Sequence, residues 1–140
     1  MSVVGIFNRR AKPVELGSLQ ELDAMVASGR PVFLDFFQFG CGPCKVMDGI
    51  VNELAEEYSG TAHIVKVNVA RVPGAVQAFA IRSTPTFVVL AKPPAKTGKK
   101  APPGPVGERP VTARWRASGL VRKDQLQRVL ESNGAVRAAG

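Results

Sequence analysis

The chain has 140 residues, with 19 Lys+Arg against 11 Asp+Glu and two cysteines, which makes a single domain over 1–140 the expectation. Apolar residues at 45% and charged residues at 21% match an ordinary globular domain and exclude a disordered or collagen-like chain. The net charge of +8 points first to nucleic acid or an anionic membrane, but residues 1–90 are balanced at eight basic and eight acidic, and the excess lies in 91–140 at eleven against three.

In chain order, Val3 to Phe7 is too short for a signal-peptide core, and Arg9, Arg10 and Lys12 follow it instead of preceding it, so a cytoplasmic location is expected. Val14 to Leu16 is a candidate first strand. Ser18-Leu-Gln-Glu21 has the form of a capping box, with Leu19, Leu22, Met25 and Val26 at helical spacing until Gly29. Val32 to Phe37 is apolar on both faces, the pattern of a strand in a sheet centre, and Asp35 is its anomaly. From Cys44, the residues Val46, Met47, Ile50, Val51, Leu54, Ala55 and Tyr58 recur every three or four positions, giving an amphipathic helix closed by Gly60.

His63 to Val69 then alternates as a strand, Pro73 to Ala80 forms a short helix, and Thr86 to Ala91 forms another strand. Residues 92–110 hold six of the eleven prolines and three glycines, which bars both ladder and helix and makes a long loop. Val111 to Ala117 returns to a strand and Val121 to Ser132 to a helix, with the tail 134–140 expected to fray. This order is that of a three-layer α/β/α sandwich. The longest apolar runs, such as Phe87 to Ala91, are far short of the roughly 20 residues that span a bilayer, so no membrane partner is expected.

Both cysteines lie in Cys41-Gly42-Pro43-Cys44, after a buried strand and at the start of a helix, the setting in which C-x-x-C is a redox motif. A sulfur at a helix N-terminus meets unpaired N–H groups and the positive end of the helix dipole, which favour thiolate and make Cys41 the candidate nucleophile. Cys44, one turn inside, suits the resolving role. Pro43 is tolerated in the first turn because no N–H partner is needed there. Two other readings compete. A structural disulfide closing so short a loop would stabilise little, and zinc needs about four ligands where His63 is the sole further soft candidate, so no metal is expected.

Phe33-Leu-Asp-Phe36, Cys-Gly-Pro-Cys-Lys45, Lys66-Val-Asn68, Ser83-Thr-Pro85-Thr-Phe87 and Gly119 together resemble the thioredoxin family over about residues 13–133. The resemblance implies the thioredoxin fold with a central mixed sheet. It implies protein disulfide reductase activity in electron transport and cell redox homeostasis, carried by a redox-active Cys41-Cys44 disulfide without another cofactor. Disulfide-containing proteins would be the targets and a thioredoxin reductase the electron source. Asp35 matches the family's buried acid, which would take the Cys44 proton, directly or through water; the plainer reading is a core carboxylate paired with Lys66. Gly42, Pro43 and Lys66 would support the site, and Gly40, Thr84, Pro85 and Gly119 would contact substrate. Pro85 matches the proline that follows a cis bond, which would leave Thr84 backbone groups open to an extended peptide.

The sequence departs from the family at three places. Gly40 stands where a Trp usually precedes the first cysteine, and Phe37 replaces another Trp. Thr84 replaces a branched aliphatic, as in oxidase or isomerase relatives, although Gly-Pro between the cysteines favours a reductant. The loop 92–110 replaces a tight hairpin turn and carries +4. It is either a solvated insertion or a docking arm for an acidic partner; with no aromatic residue to stack a base, nucleic acid is disfavoured. An adaptor in which this arm matters more than the cysteines, and a more oxidising oxidase or isomerase, are the alternatives to a reductase.

Overall fold

A computed structural model describes residues 11–92 and 112–138. In chain order these contain β1 (Val14–Glu15), a 3-10 turn (Leu19–Glu21), α1 (Leu22–Ala27), β2 (Val32–Phe37), α2 (Gly42–Glu57), β3 (His63–Asn68), α3 (Ala75–Phe79), β4 (Thr86–Ala91), β5 (Thr112–Ser118) and α4 (Lys123–Ser132). The described strands form one sheet in the order β1-β3-β2-β4-β5. β3 runs parallel to β1 and β2, and β4 runs antiparallel to β2 and β5, so the sheet is mixed. The element order is the one expected, including the first strand. The basic loop falls, apart from Lys92, outside the described residues.

β2 occupies the sheet centre, buried at every position as its neighbour β4 also is, because its apolar residues need cover on both faces. Its even-numbered residues Val32, Leu34 and Phe36 pack with α1, α3 and the flanking Leu16, Val72 and Ile81. Phe33 points the other way, into a cluster with Met47, Val51 and Leu54 of α2, Tyr58 at its C-cap, and Leu126 and Leu130 of α4. Two helical layers therefore sandwich the sheet, and strand alternation places Asp35 on the α2 side between Phe33 and Phe37. Val46, counted in the apolar series of α2, is 64% exposed; the buried stripe instead runs through Cys44, Met47, Val51, Leu54 and Ala55.

Two local expectations are corrected. Ser18 makes no side-chain cap, because the helix opens with a 3-10 turn in which the Glu21 N–H donates to the Ser18 carbonyl (3.2 Å). The Glu21 carboxylate reaches back to the Gly17 N–H instead (3.2 Å). The tail is not frayed over 134–138: Ala135 is buried against the α2–α4 core, and the Ala138 N–H donates to the Glu57 carbonyl (2.8 Å). Thr61 secures the same segment, donating from Oγ1 to the Val136 carbonyl (2.9 Å) and accepting from the Val136 N–H (3.1 Å). These bonds satisfy backbone groups that a loose tail would leave to water.

Arg114 and Arg116 lie on the edge strand β5. Arg116 does more than charge that edge. Its guanidinium donates to the carbonyls of Phe79 and Ala80 at the C-terminus of α3, where a cation complements the helix dipole.

Candidate active site

The end of β2 leads through Gln38, Phe39 and Gly40 into the N-terminus of α2. Gly40 has φ of 80°, a left-handed conformation that a side chain resists, so the turn that delivers Cys41 to the helix favours glycine. Cys41 is the N-cap residue of α2, and its Sγ accepts a hydrogen bond from the Cys44 N–H at 3.2 Å. Gly42 and Pro43 are exposed in the first turn, with Pro43 placed where it forfeits no helical bond. Cys41 and Cys44 are joined as a disulfide and form a small cluster with Phe37. Cys41 Sγ also lies 3.5 Å from the Thr84 carbonyl oxygen, so the loop before β4 abuts the first sulfur.

The Thr84-Pro85 peptide bond is cis, and Pro85 is buried while Thr84 is partly open to solvent. Gly119, just past β5, closes the same corner by donating its N–H to the Pro85 carbonyl (2.9 Å). Thr86 holds the loop from within: its Oγ1 donates to the Ser83 carbonyl (2.7 Å) and meets Ser118 Oγ at 2.8 Å. Gly40 and Thr84 thus adjoin Cys41 from separate chain segments, with Gly119 bonded to Pro85 behind Thr84.

Asp35 is 1% exposed, and its Oδ1 has no hydrogen-bond partner among the described residues. Burial pushes its carboxyl up to about 7, against the opposing pull of Lys66 and with a smaller upward push from Asp48. Lys66 is opposite Asp35 in the β2–β3 register but does not bond it. Its Nζ donates to Asp48 Oδ1 of α2 at 2.8 Å and sits 4.5 Å from the centre of the Phe37 ring. The Asp35–Lys66 pair considered from sequence is therefore replaced by Lys66–Asp48. A shallow pocket of about 260 Å³ opens here, lined by Phe37, Phe39, Cys41, Cys44, Asp48 and Lys66 among others.

Sequence reasoning passed over Asp48 and Phe39. The signal for Asp48 was its spacing, four residues after Cys44 and so on the same side of α2. Phe39 is 74% exposed beside the cysteines, edge-on to Phe37 and with the Arg71 guanidinium 5.4 Å from its ring centre. It supplies an aromatic rim one position earlier than the usual Trp. His63 belongs to the far end of the sheet, with Nε2 2.9 Å from Ser28 Oγ; burial and Arg30 hold its imidazole below the usual range. Among the described residues no group of three or more His, Cys, Asp or Glu side chains is arranged to hold a metal, and no helix is long and apolar enough to cross a membrane.

Residues 14–102 match the thioredoxin family model. A thioredoxin 1 from Chlorobaculum tepidum is 32% identical over 117 residues, covering 82% of this chain and 98% of that protein. A chloroplastic M-type thioredoxin from Spinacia oleracea is 45% identical over 58 residues, 41% of this chain, and one from Brassica napus is 38% identical over 68 residues. The matched regions span only 32% and 38% of the lengths of those two chloroplastic relatives. Among solved structures, a mutant thioredoxin from Halobacterium salinarum superposes with a TM-score of 0.66 at 26% identity, over 89% of this chain and 93% of that one.

Proposed function

The chain belongs to the thioredoxin family and has its fold, and from that membership we propose that it is a thiol-disulfide oxidoreductase that reduces disulfides in proteins. The observation that carries this reading is the Cys41–Cys44 disulfide at the N-terminus of α2, one sulfur of which faces the Thr84 carbonyl. In the reduced form, the Cys44 N–H and the helix N-terminus stabilise negative charge on Cys41. The Cys41 thiolate attacks a target disulfide, forming a mixed disulfide and releasing one target thiolate. Cys44 then gives its proton to Asp35 and attacks Cys41 Sγ, closing the Cys41–Cys44 disulfide as the second target sulfur leaves. Two electrons pass to the target, and its two sulfurs leave as thiols once protonated.

A target segment pairing with Thr84 would lie across Cys41, and the exposed Phe39 offers it an apolar contact. The Cys41–Cys44 pair itself carries the electrons, and a thioredoxin reductase is the electron source in this reading, in a reducing compartment such as the cytoplasm. The test is reduction of insulin with NADPH and a thioredoxin reductase, with dithiothreitol as a parallel electron source, comparing wild type with Cys41→Ser. Wild type should turn over with both sources and the variant with neither. Wild type that fails to accelerate reduction from dithiothreitol, or a Cys41→Ser protein that still does so, would defeat the proposal.

A further inference from the structure

Lys66 has carboxylates on three sides, Asp35 across β2, Glu15 across β1 and Asp48 on α2, and it bonds Asp48. Register places it opposite Asp35, yet its ammonium is turned to Asp48 at 2.8 Å and rests against the Phe37 ring. Asp35 stays buried with Oδ1 unpartnered, while the side chains of Asp48 and Lys66 are 44% and 21% exposed at the pocket mouth. Asp48 reaches this place because it is one turn beyond Cys44 on α2. We propose that Asp48 is a positioning residue of the redox site: by anchoring the Lys66 ammonium it withholds that charge from Asp35, and so keeps Asp35 a ready acceptor for the Cys44 proton.

Electrostatics favour this role from two directions. An ammonium free to approach Asp35 would stabilise its carboxylate and weaken it as a base, and Asp48 both diverts that ammonium and adds a like charge of its own. The charged and titratable groups around Asp35 are few. β3 contributes Lys66, β1 places Glu15 beside Lys66 on its far side from Asp35, α2 contributes Asp48 and Cys44 with Cys41 at its N-cap, and β4 places Phe87 opposite. Of the two carboxylates outside β2 that flank Lys66, Glu15 makes no bond to it and Asp48 does. An exposed ion pair that merely adds stability would, in contrast, leave the titration of Asp35 where it is.

The proposal rests on the disulfide-reductase reading for its purpose, but its test does not require turnover. The Asp35 carboxyl is followed by carbon-13 NMR across pH in oxidised wild type, Asp48→Asn, Asp48→Ala and Asp48→Glu. Asp48→Asn and Asp48→Ala should lower the Asp35 midpoint by about one pH unit, and Asp48→Glu should restore it. Lys66→Met should raise the midpoint further in the Asp48→Asn background than in wild type, because only there has the ammonium moved inward. An Asp35 midpoint unchanged in both Asp48→Asn and Asp48→Ala, or an equal effect of Lys66→Met in both backgrounds, overturns the proposal. Failure of the reductase reading would show separately, as loss of insulin reduction by wild type.

Discussion

At the N-terminal end of α2, a buried carboxylate sits with an oxygen unpartnered while the nearest ammonium bonds another residue. At the C-terminal end, the polar groups close on one another. Buried Tyr58 donates to Glu131 Oε2 at 2.5 Å, and Arg137 bonds the same oxygen. Glu57 accepts from Lys123 Nζ (2.6 Å) and Gln127 Nε2 (2.8 Å), and its carbonyl accepts from Ala138. One helix thus joins a region where polar groups are satisfied to one where a costly group is retained. The difference teaches where stability is given up: an unpaired buried carboxyl is disfavoured as a structural device and useful as a proton acceptor.

The largest expected effect follows from removing that cost. The Asp35 carboxyl is raised from 3.8 to about 7 in the folded protein, so its contribution to stability is fully present below the unfolded value and is lost as pH rises through the folded one. Converted at 1.36 kcal/mol per pH unit, the loss is about 4 kcal/mol by pH 8. Asp35→Asn should therefore be more stable than wild type by up to that amount at pH 8, and nearly equal to it at pH 4. Urea unfolding of the oxidised proteins at the two pH values measures this. Coincident unfolding curves at pH 8 would remove the contrast between the two ends of α2. Resolution of a mixed disulfide should slow in the same variant.

The opposite end predicts a smaller change of opposite sign. Tyr58→Phe removes the hydrogen bond to Glu131 and should destabilise by about 1 kcal/mol, because Glu131 keeps Arg137 and some water. The Tyr58 bond, with Arg137, holds the Glu131 carboxyl below its ordinary range, so the stability it provides is present above the unfolded value and lost as pH falls through the folded one. The gap between wild type and Tyr58→Phe should therefore narrow in acid. Insulin reduction should be unaffected, since Tyr58 is at the far end of the helix from the cysteines. A loss of stability that is the same at pH 3 and pH 7 would argue against a charge-assisted bond.

The two ends were also unequally readable from the amino-acid sequence. The cysteines and Asp35 stood out because each violates its local pattern, a sulfur pair at a helix start and a charge in an apolar strand, whereas Pro85 was legible only through the family resemblance. The strand centre at β2 followed from apolar residues on both faces. The Lys66–Asp48 pair did not follow, because a lysine opposite one acid in a ladder can rotate its long side chain to another acid on a neighbouring helix. The docking of 134–138 was equally hidden. Its anchors are backbone groups and a small alanine, which leave no hydrophobic periodicity to read. Ser18 illustrates a third limit, since a 3-10 opening redirects the bonds that a capping box assigns.

The smallest expected effect uses Trp115 as a probe of distance between the regions. It is the chain's one tryptophan, partly buried on β5 against the α2–α4 core. Register places it beside Val89 of β4, and Val89 is beside Phe33 of β2. Phe33 precedes Phe37, which touches the disulfide, by four residues of strand, or about 13 Å at 3.3 Å per residue. Contact quenching by the disulfide cannot bridge that separation. Reduction of Cys41–Cys44 should therefore change Trp115 emission by only a few per cent, about a tenth or less of the signal. Moving the probe with Gly40→Trp in a Trp115→Phe background should give a large response, because position 40 adjoins Cys41. The left-handed φ at Gly40 makes the fold of that variant the first thing to check by circular dichroism. A strong response from Trp115 itself would mean that reduction reaches the sheet edge, and the two ends of the molecule would then be coupled instead of independent.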